Sequence, residues 1–245
     1  MKKIVLFLLL SIGLLRAENS LSIGAGPYIQ SQPYRSADAF ILPTPVIFLE
    51  YEIFYVRWSQ IGMYFYGGEN WGLSLMLQPR PFGYKAEDSD DLTGMDTRKS
   101  SWEGGLSLAG KNDLGFAEII YVHDLLNSSN RSLVRAEVGT KIKHENWTFV
   151  PSFLMLWFSQ GFNEYYYGVR EDESTPTRAE YHPNAGLNVA MQSYINYQIT
   201  PEWGVLGNIR TDYLNSTVTN SPIVSDHYIF SGMISLRYTF DFHSN

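Results

Sequence analysis

Cysteine is absent from all 245 residues. That absence excludes a disulfide scaffold and a lipid-anchored lipoprotein. Basic charge is scarce: 18 Lys and Arg stand against 25 Asp and Glu, a net charge of −7. An acidic chain is repelled by a phosphate backbone, which argues against nucleic acid as a partner. Beyond Leu15 no apolar run reaches the roughly 20 residues that a membrane helix needs. There is no Gly-x-Ser-x-Gly elbow, and the acidic runs at 87–91 and 171–173 lack EF-hand spacing.

What the chain does have begins at its first residues. Lys2 and Lys3 precede an apolar run from Ile4 to Leu15, and Leu15-Arg16-Ala17 offers a cleavage site. Residues 1–17 therefore read as a secretory signal peptide, too short to span a bilayer. Residues 18–245 read as one domain. They are rich in aromatics, the full chain holding 17 Tyr, 14 Phe and 6 Trp.

The most informative stretch is Asp226–Phe240. Tyr228, Phe230, Ile234, Leu236, Tyr238 and Phe240 alternate with Ser231, Ser235, Arg237 and Thr239. A period of two puts these sets on opposite faces of a strand. One apolar face with aromatics near both ends, and one polar face, is the pattern of an outer-membrane barrel strand. Similar alternation recurs at 20–30, 71–78, 101–109, 131–143, 185–199 and 203–214. In the 185–199 segment it predicts Val189 and Met191 facing lipid and Asn188 and Gln192 facing inward. Residues 147–158 are apolar on both faces, and 45–66 divides into three short strands.

The expected fold is all-β: an antiparallel transmembrane barrel of twelve strands, or ten if 45–66 holds two fewer. Long connections at 31–44, 79–100, 124–130, 159–184 and 215–225 alternate with short turns, apart from a short one near Ser59. Outer-membrane barrels sort their loops this way, with long loops outside the cell and both termini in the periplasm.

Several segments carry a resemblance to the MipA/OmpV family of Gram-negative outer-membrane proteins. They are Pro43-Thr44-Pro45, Asp91-Leu92-Thr93-Gly94, Tyr166-Tyr167-Gly168-Val169 and Tyr181-His182-Pro183-Asn184-Ala185-Gly186. Tyr197 to Trp203, Ser221-Pro222-Ile223-Val224 and Leu236 to Phe240 continue it, so it spans the mature chain. The resemblance implies a cell outer membrane location. It also implies a scaffold role linking a lytic transglycosylase to a murein synthase. Family members often stop at the final Phe, whereas Asp241 to Asn245 follow here. Tyr238 and Phe240 are the candidate assembly signal.

The polar faces supply the candidate lumen residues: Glu103, Glu118, Arg135, Glu137, Lys141, Asn188, Gln192, Asn196, Asn208, Arg210, Asp212 and Arg237. Interior side chains fill an eight-stranded barrel and line a channel in much larger ones, with twelve in between. The alternative function is thus a narrow pore for small solutes. His123-Asp124 near Ser128 and Ser129, and Asp226-His227 near Ser221, are the available acyl-transfer groups. Without a nucleophile elbow, the reading is non-enzymatic, with no cofactor and no resident metal. Lipid and lipopolysaccharide are the expected surroundings, the acidic loops suiting divalent cations bridged to lipopolysaccharide phosphates.

Overall fold

A computed structural model describes residues 19–80, 83–126 and 131–240. The signal segment and Phe242 lie outside the described residues. Thirteen strands form one antiparallel sheet: β1 (Ser20–Gln30), β2 (Phe40–Tyr51), β3 (Phe54–Arg57), β4 (Gln60–Gly67) and β5 (Trp71–Arg80). Then come β6 (Ser101–Asn112), β7 (Gly115–Asp124), β8 (Ser132–Gly139), β9 (Ile142–His144) and β10 (Trp147–Phe158). The last three are β11 (Gly186–Gln198), β12 (Trp203–Tyr213) and β13 (Tyr228–Phe240). β8 and β9 are two pieces of one stave, both pairing with β10. Their break lies opposite Pro151, which has no N–H to offer Thr140. The barrel therefore has twelve staves, the larger of the two expected counts. It closes where β1 pairs with β13, from Leu21↔Phe240 to Gln30↔Ser231. Closure removes the exposed edges that hydrocarbon cannot solvate.

The outer face carries the apolar half of each alternation. Met191, Ile209 and Ile234 are 68%, 59% and 59% exposed. Aromatics ring both ends of this band. Near the short turns, Trp203 packs on Tyr238, Tyr66 on Trp71, and Trp147 on Tyr197. At the long-loop end, Tyr213 packs on Tyr228. Amphipathic rings belong at the two membrane interfaces.

The region 45–66 does hold three strands, but β2 begins earlier, at Phe40, so 40–44 is strand and not loop. β5 likewise runs on through Pro79 to Arg80. Prolines hid both extensions. The connection at 159–184 is not a simple loop either: it contains α1 (Gln160–Tyr167). A short helix, α2 (Ser216–Thr219), sits in the 215–225 connection. Ser159 caps α1 by accepting from the Phe162 N–H. α1 lies against the inner wall, where Phe158, Phe162 and Tyr166 stack in sequence at 4.5 and 4.7 Å. Leu154, Leu156 and Phe158 of β10 turn inward to meet it. That contact explains why β10 is apolar on both faces: one side meets lipid, the other meets α1.

Candidate functional site

The long connections fold together over one end of the barrel. Tyr34, Tyr84, Leu92, Met95, Val169 and Ile223 form a buried apolar cluster drawn from four of them. Tyr34 donates to the Tyr166 carbonyl at 3.2 Å, and Ser221 donates to the Tyr167 carbonyl at 2.6 Å. Ser36 donates to Asp91 at 2.8 Å. Arg178 fastens the 81–100 and 159–185 connections by donating to the carbonyls of Asp91, Thr93 and Glu173. Arg98 donates to Glu173 at 2.7 Å and to the Tyr165 carbonyl at 2.6 Å. Burial pushes the Glu173 carboxyl up. The Arg98 hydrogen bond and the Asp96 and Arg170 backbone N–H groups outweigh it and hold the group below its usual 4.5. The result is a cap with its own apolar core and its own buried ion pair.

Beneath the cap lies an elongated cavity of about 1180 Å³. It runs from Tyr34, Tyr167 and Leu214 under the cap to Glu69, Asn70 and Lys111 at the short-turn end. Of the residues expected inside, Glu118, Arg135, Glu137, Asn188, Gln192, Asn208, Arg210 and Asp212 line it. Glu103 is buried beside it, accepting from Arg80 and from Gln78 at 2.8 Å. Asn196 and Arg237 are half-buried and do not line the cavity. Lys141 is exposed, in the break between β8 and β9.

Most cations and carboxylates of this wall are paired among the described residues, Glu69 and Lys111 at the short-turn end excepted. Arg57 meets Glu50 at 2.8 Å, Arg135 meets Glu118 at 2.9 Å, and Arg210 meets Asp212 at 2.6 Å. Glu137 also accepts from Ser152 and Gln192. Charges in a poorly solvated interior need such partners. The sequence reading passed over Arg57, Glu50 and Arg80, because proline and a two-residue turn obscured the alternation around them. It also passed over Tyr194, whose even position between Gln192 and Asn196 places it on the polar face.

The acyl-transfer groups are not assembled among the described residues. Ser221 is buried in the cap, while His227 is exposed. His123 bonds Ser132 at 2.9 Å, and Ser128 and Ser129 lie outside the described residues. The acidic runs form short 3-10 turns at Ala86–Asp88, Asp90–Leu92 and Glu171–Glu173.

Twelve closed staves, an apolar outer band between aromatic rings and a polar lumen define an outer-membrane β-barrel protein. Known proteins place it further. The sequence model described as MltA-interacting protein MipA matches residues 23–240, and the chain belongs to that family. It is 31% identical to the MltA-interacting protein of Escherichia coli K12, over 95% of this chain and 94% of that one. It is 25% identical to the putative outer membrane protein YiaT of the same organism, over 91% and 92%. Among solved structures, an outer membrane channel from Pseudomonas putida F1 aligns with a TM-score of 0.47 at 10% identity, covering 94% of this chain and 97% of that one.

Proposed function

We propose that the protein is a non-enzymatic, non-conducting scaffold of the outer membrane that meets a murein-processing enzyme at its short-turn end. The observation that carries this reading is the capped lumen. The Arg98–Glu173 cap and the α1 contact with the inner wall obstruct the long-loop end, while the cavity reaches the short turns. With the long loops outside the cell, the turns face the periplasm, where murein lies. The E. coli relative is named for interaction with MltA, which supports a lytic transglycosylase as partner; a murein synthase beside it is what the family resemblance implies. Lipid and lipopolysaccharide surround the apolar band.

Purified protein in planar bilayers is expected to show no steady conductance, while retaining a lytic transglycosylase in a pull-down. Steady single-channel openings without such retention would favour the second reading, a narrow solute pore. The cavity volume is the observation that keeps that reading in view. An epitope placed beside exposed Glu171 is expected to be labelled on intact cells; labelling only after permeabilisation would reverse the orientation.

A further inference from the structure

The hairpin of β3 and β4 is much shorter than its neighbours. β3 has four residues and pairs with β2 only from Phe48 to Tyr51. The last contact is the Trp58 N–H donating to the Ile47 carbonyl at 2.9 Å. Above that point, Phe40 to Val46 of β2 pair with β1 on one side, and no described strand pairs with them on the other. β5 shows the same thing across the space. Its pairing with β4 ends at Leu77, while Gln78 to Arg80 pair only with β6. At the base of this notch, β2 and β5 stand three strand spacings apart, roughly 14 Å.

The backbone phase at the notch can be worked out. The N–H and C=O of one strand residue point to the same side, and the side alternates along the chain. Since Ile47 bonds toward β3, the odd residues of β2 point toward the notch. Of these, positions 43 and 45 are both proline. On β5, the Trp71 carbonyl accepts from Gly68 on the β4 side, and the Asn70 carbonyl accepts from Lys111 on the β6 side. Odd residues of β5 therefore also point toward the notch, and position 79 is proline. Three prolines occupy positions whose N–H would otherwise have no strand partner. Elsewhere proline costs a ladder bond, as Pro151 does opposite Thr140. An unsatisfied N–H in hydrocarbon is costly, and proline removes it.

We propose that this notch is a lateral port through the barrel wall, through which the acyl chain of a membrane lipid enters the lumen cavity. The cavity reaches the wall here, since Pro79, Ser59 and Leu42 all line it. Pro79 shares the parity of exposed Leu75 and Leu77 and still lines the cavity. On the β2 side the inner lining is mostly apolar, with Phe40, Leu42 and Phe48 beside Trp58 and only Thr44 polar, while the β5 side carries Gln78 and Arg80. Trp58 holds a φ of 55°, a strained conformation for so bulky a residue. Its ring reaches inward, packing edge-on against Tyr28 at 5.8 Å and Tyr194 at 6.5 Å. A strand from a partner chain is a poorer occupant, because Pro43, Pro45 and Pro79 leave only Ile41 with an N–H toward the notch, too few donors to template β-addition. A hydrocarbon chain needs no donors.

The test uses Trp58 as reporter. Trp71, Trp102, Trp147, Trp157 and Trp203 are replaced by Phe, and the folded protein is placed in phosphatidylcholine bilayers brominated at mid-chain. Trp58 emission is expected to be quenched as strongly as that of a matched protein keeping only Trp102, an exposed residue of the outer face. Quenching of the Trp102 protein with an unaffected Trp58 would overturn the port. Should the five-fold replacement not fold, Ser59→Cys in the otherwise cysteine-free chain serves instead. That thiol is expected to react with a bilayer-dissolved alkyl maleimide and to be protected from a membrane-impermeant one. The opposite pattern would mean a water-filled notch and would overturn the proposal.

Discussion

Arg98 and Glu173 meet at 2.7 Å inside the loop cap, with side chains only 1% and 3% exposed. They are 75 residues apart in sequence and belong to two different connections. Removing one partner leaves a buried charge alone, at a cost of roughly 3–5 kcal/mol. Glu173→Ala is therefore expected to loosen the cap while the barrel stays folded. Proteolysis of intact vesicles should then cut within 81–100 or 159–185, where the natural chain is expected to resist. An unchanged cleavage pattern would mean that the cap does not depend on this pair.

The same carboxyl gives the cap a pH dependence. The Glu173 pKa is depressed in the folded protein, so its contribution is present above the ordinary value of 4.5. It is lost as pH falls through the lower, folded value. His182 works in the opposite sense. Glu180 and Glu164 raise it above 6.5, so its contribution is complete below that and lost as pH rises through the folded value. Because the His182 ring is solvent-exposed, the acid limb should dominate. Loop proteolysis measured against pH is expected to rise on acidification below 4.5; a flat profile there would contradict the assignment.

Register within β11 sets a contrast. Met191 points outward at 68% exposed, while Gln192 points inward and donates to Glu137 at 2.8 Å. Met191→Arg is expected to cost roughly 2–4 kcal/mol if the residue lies near the midplane. Gln192→Arg, set beside a carboxylate, is expected to cost less. Reversible unfolding in lipid measures both, and equal or reversed costs would contradict the outward placement of Met191.

Phe240 ends the closing ladder, opposite Leu21. Its ring packs against Tyr238 at 4.9 Å in the aromatic belt of the turn end. Phe240→Ser is expected to impair barrel assembly more than Phe242→Ser. The heat-modifiable folded band in outer-membrane fractions reports this, and the reverse order would extend the assembly signal into the tail.

Local pattern carried much of the architecture. In β13 the even positions Tyr228, Phe230, Ile234, Leu236 and Phe240 are all exposed on the outer face, as a period of two predicts. α1 was not legible, because Gly161 and Asn163 interrupt its apolar face and eight residues are too few to show a helical period. Its one local signal was Ser159, an N-cap residue ahead of Phe162. The starts and ends of β2 and β5 were obscured by Pro43, Pro45 and Pro79. In most strands proline argues against continued pairing, and here it points to the one side where no described strand pairs.

Side-chain alternation and connection length are properties of adjacent residues, so the sequence alone determined an outer-membrane barrel of twelve or ten staves, and the pairing of β2, β3 and β4 decided for twelve. Neither the closing of the lumen nor the opening of the wall is local. The cap depends on Arg98, Arg178 and Tyr34 reaching partners in distant connections. The notch depends on β3 and β4 being short beside a longer β2 and β5. Only the tertiary structure decided these, because they arise from which strands become neighbours and how far each one reaches.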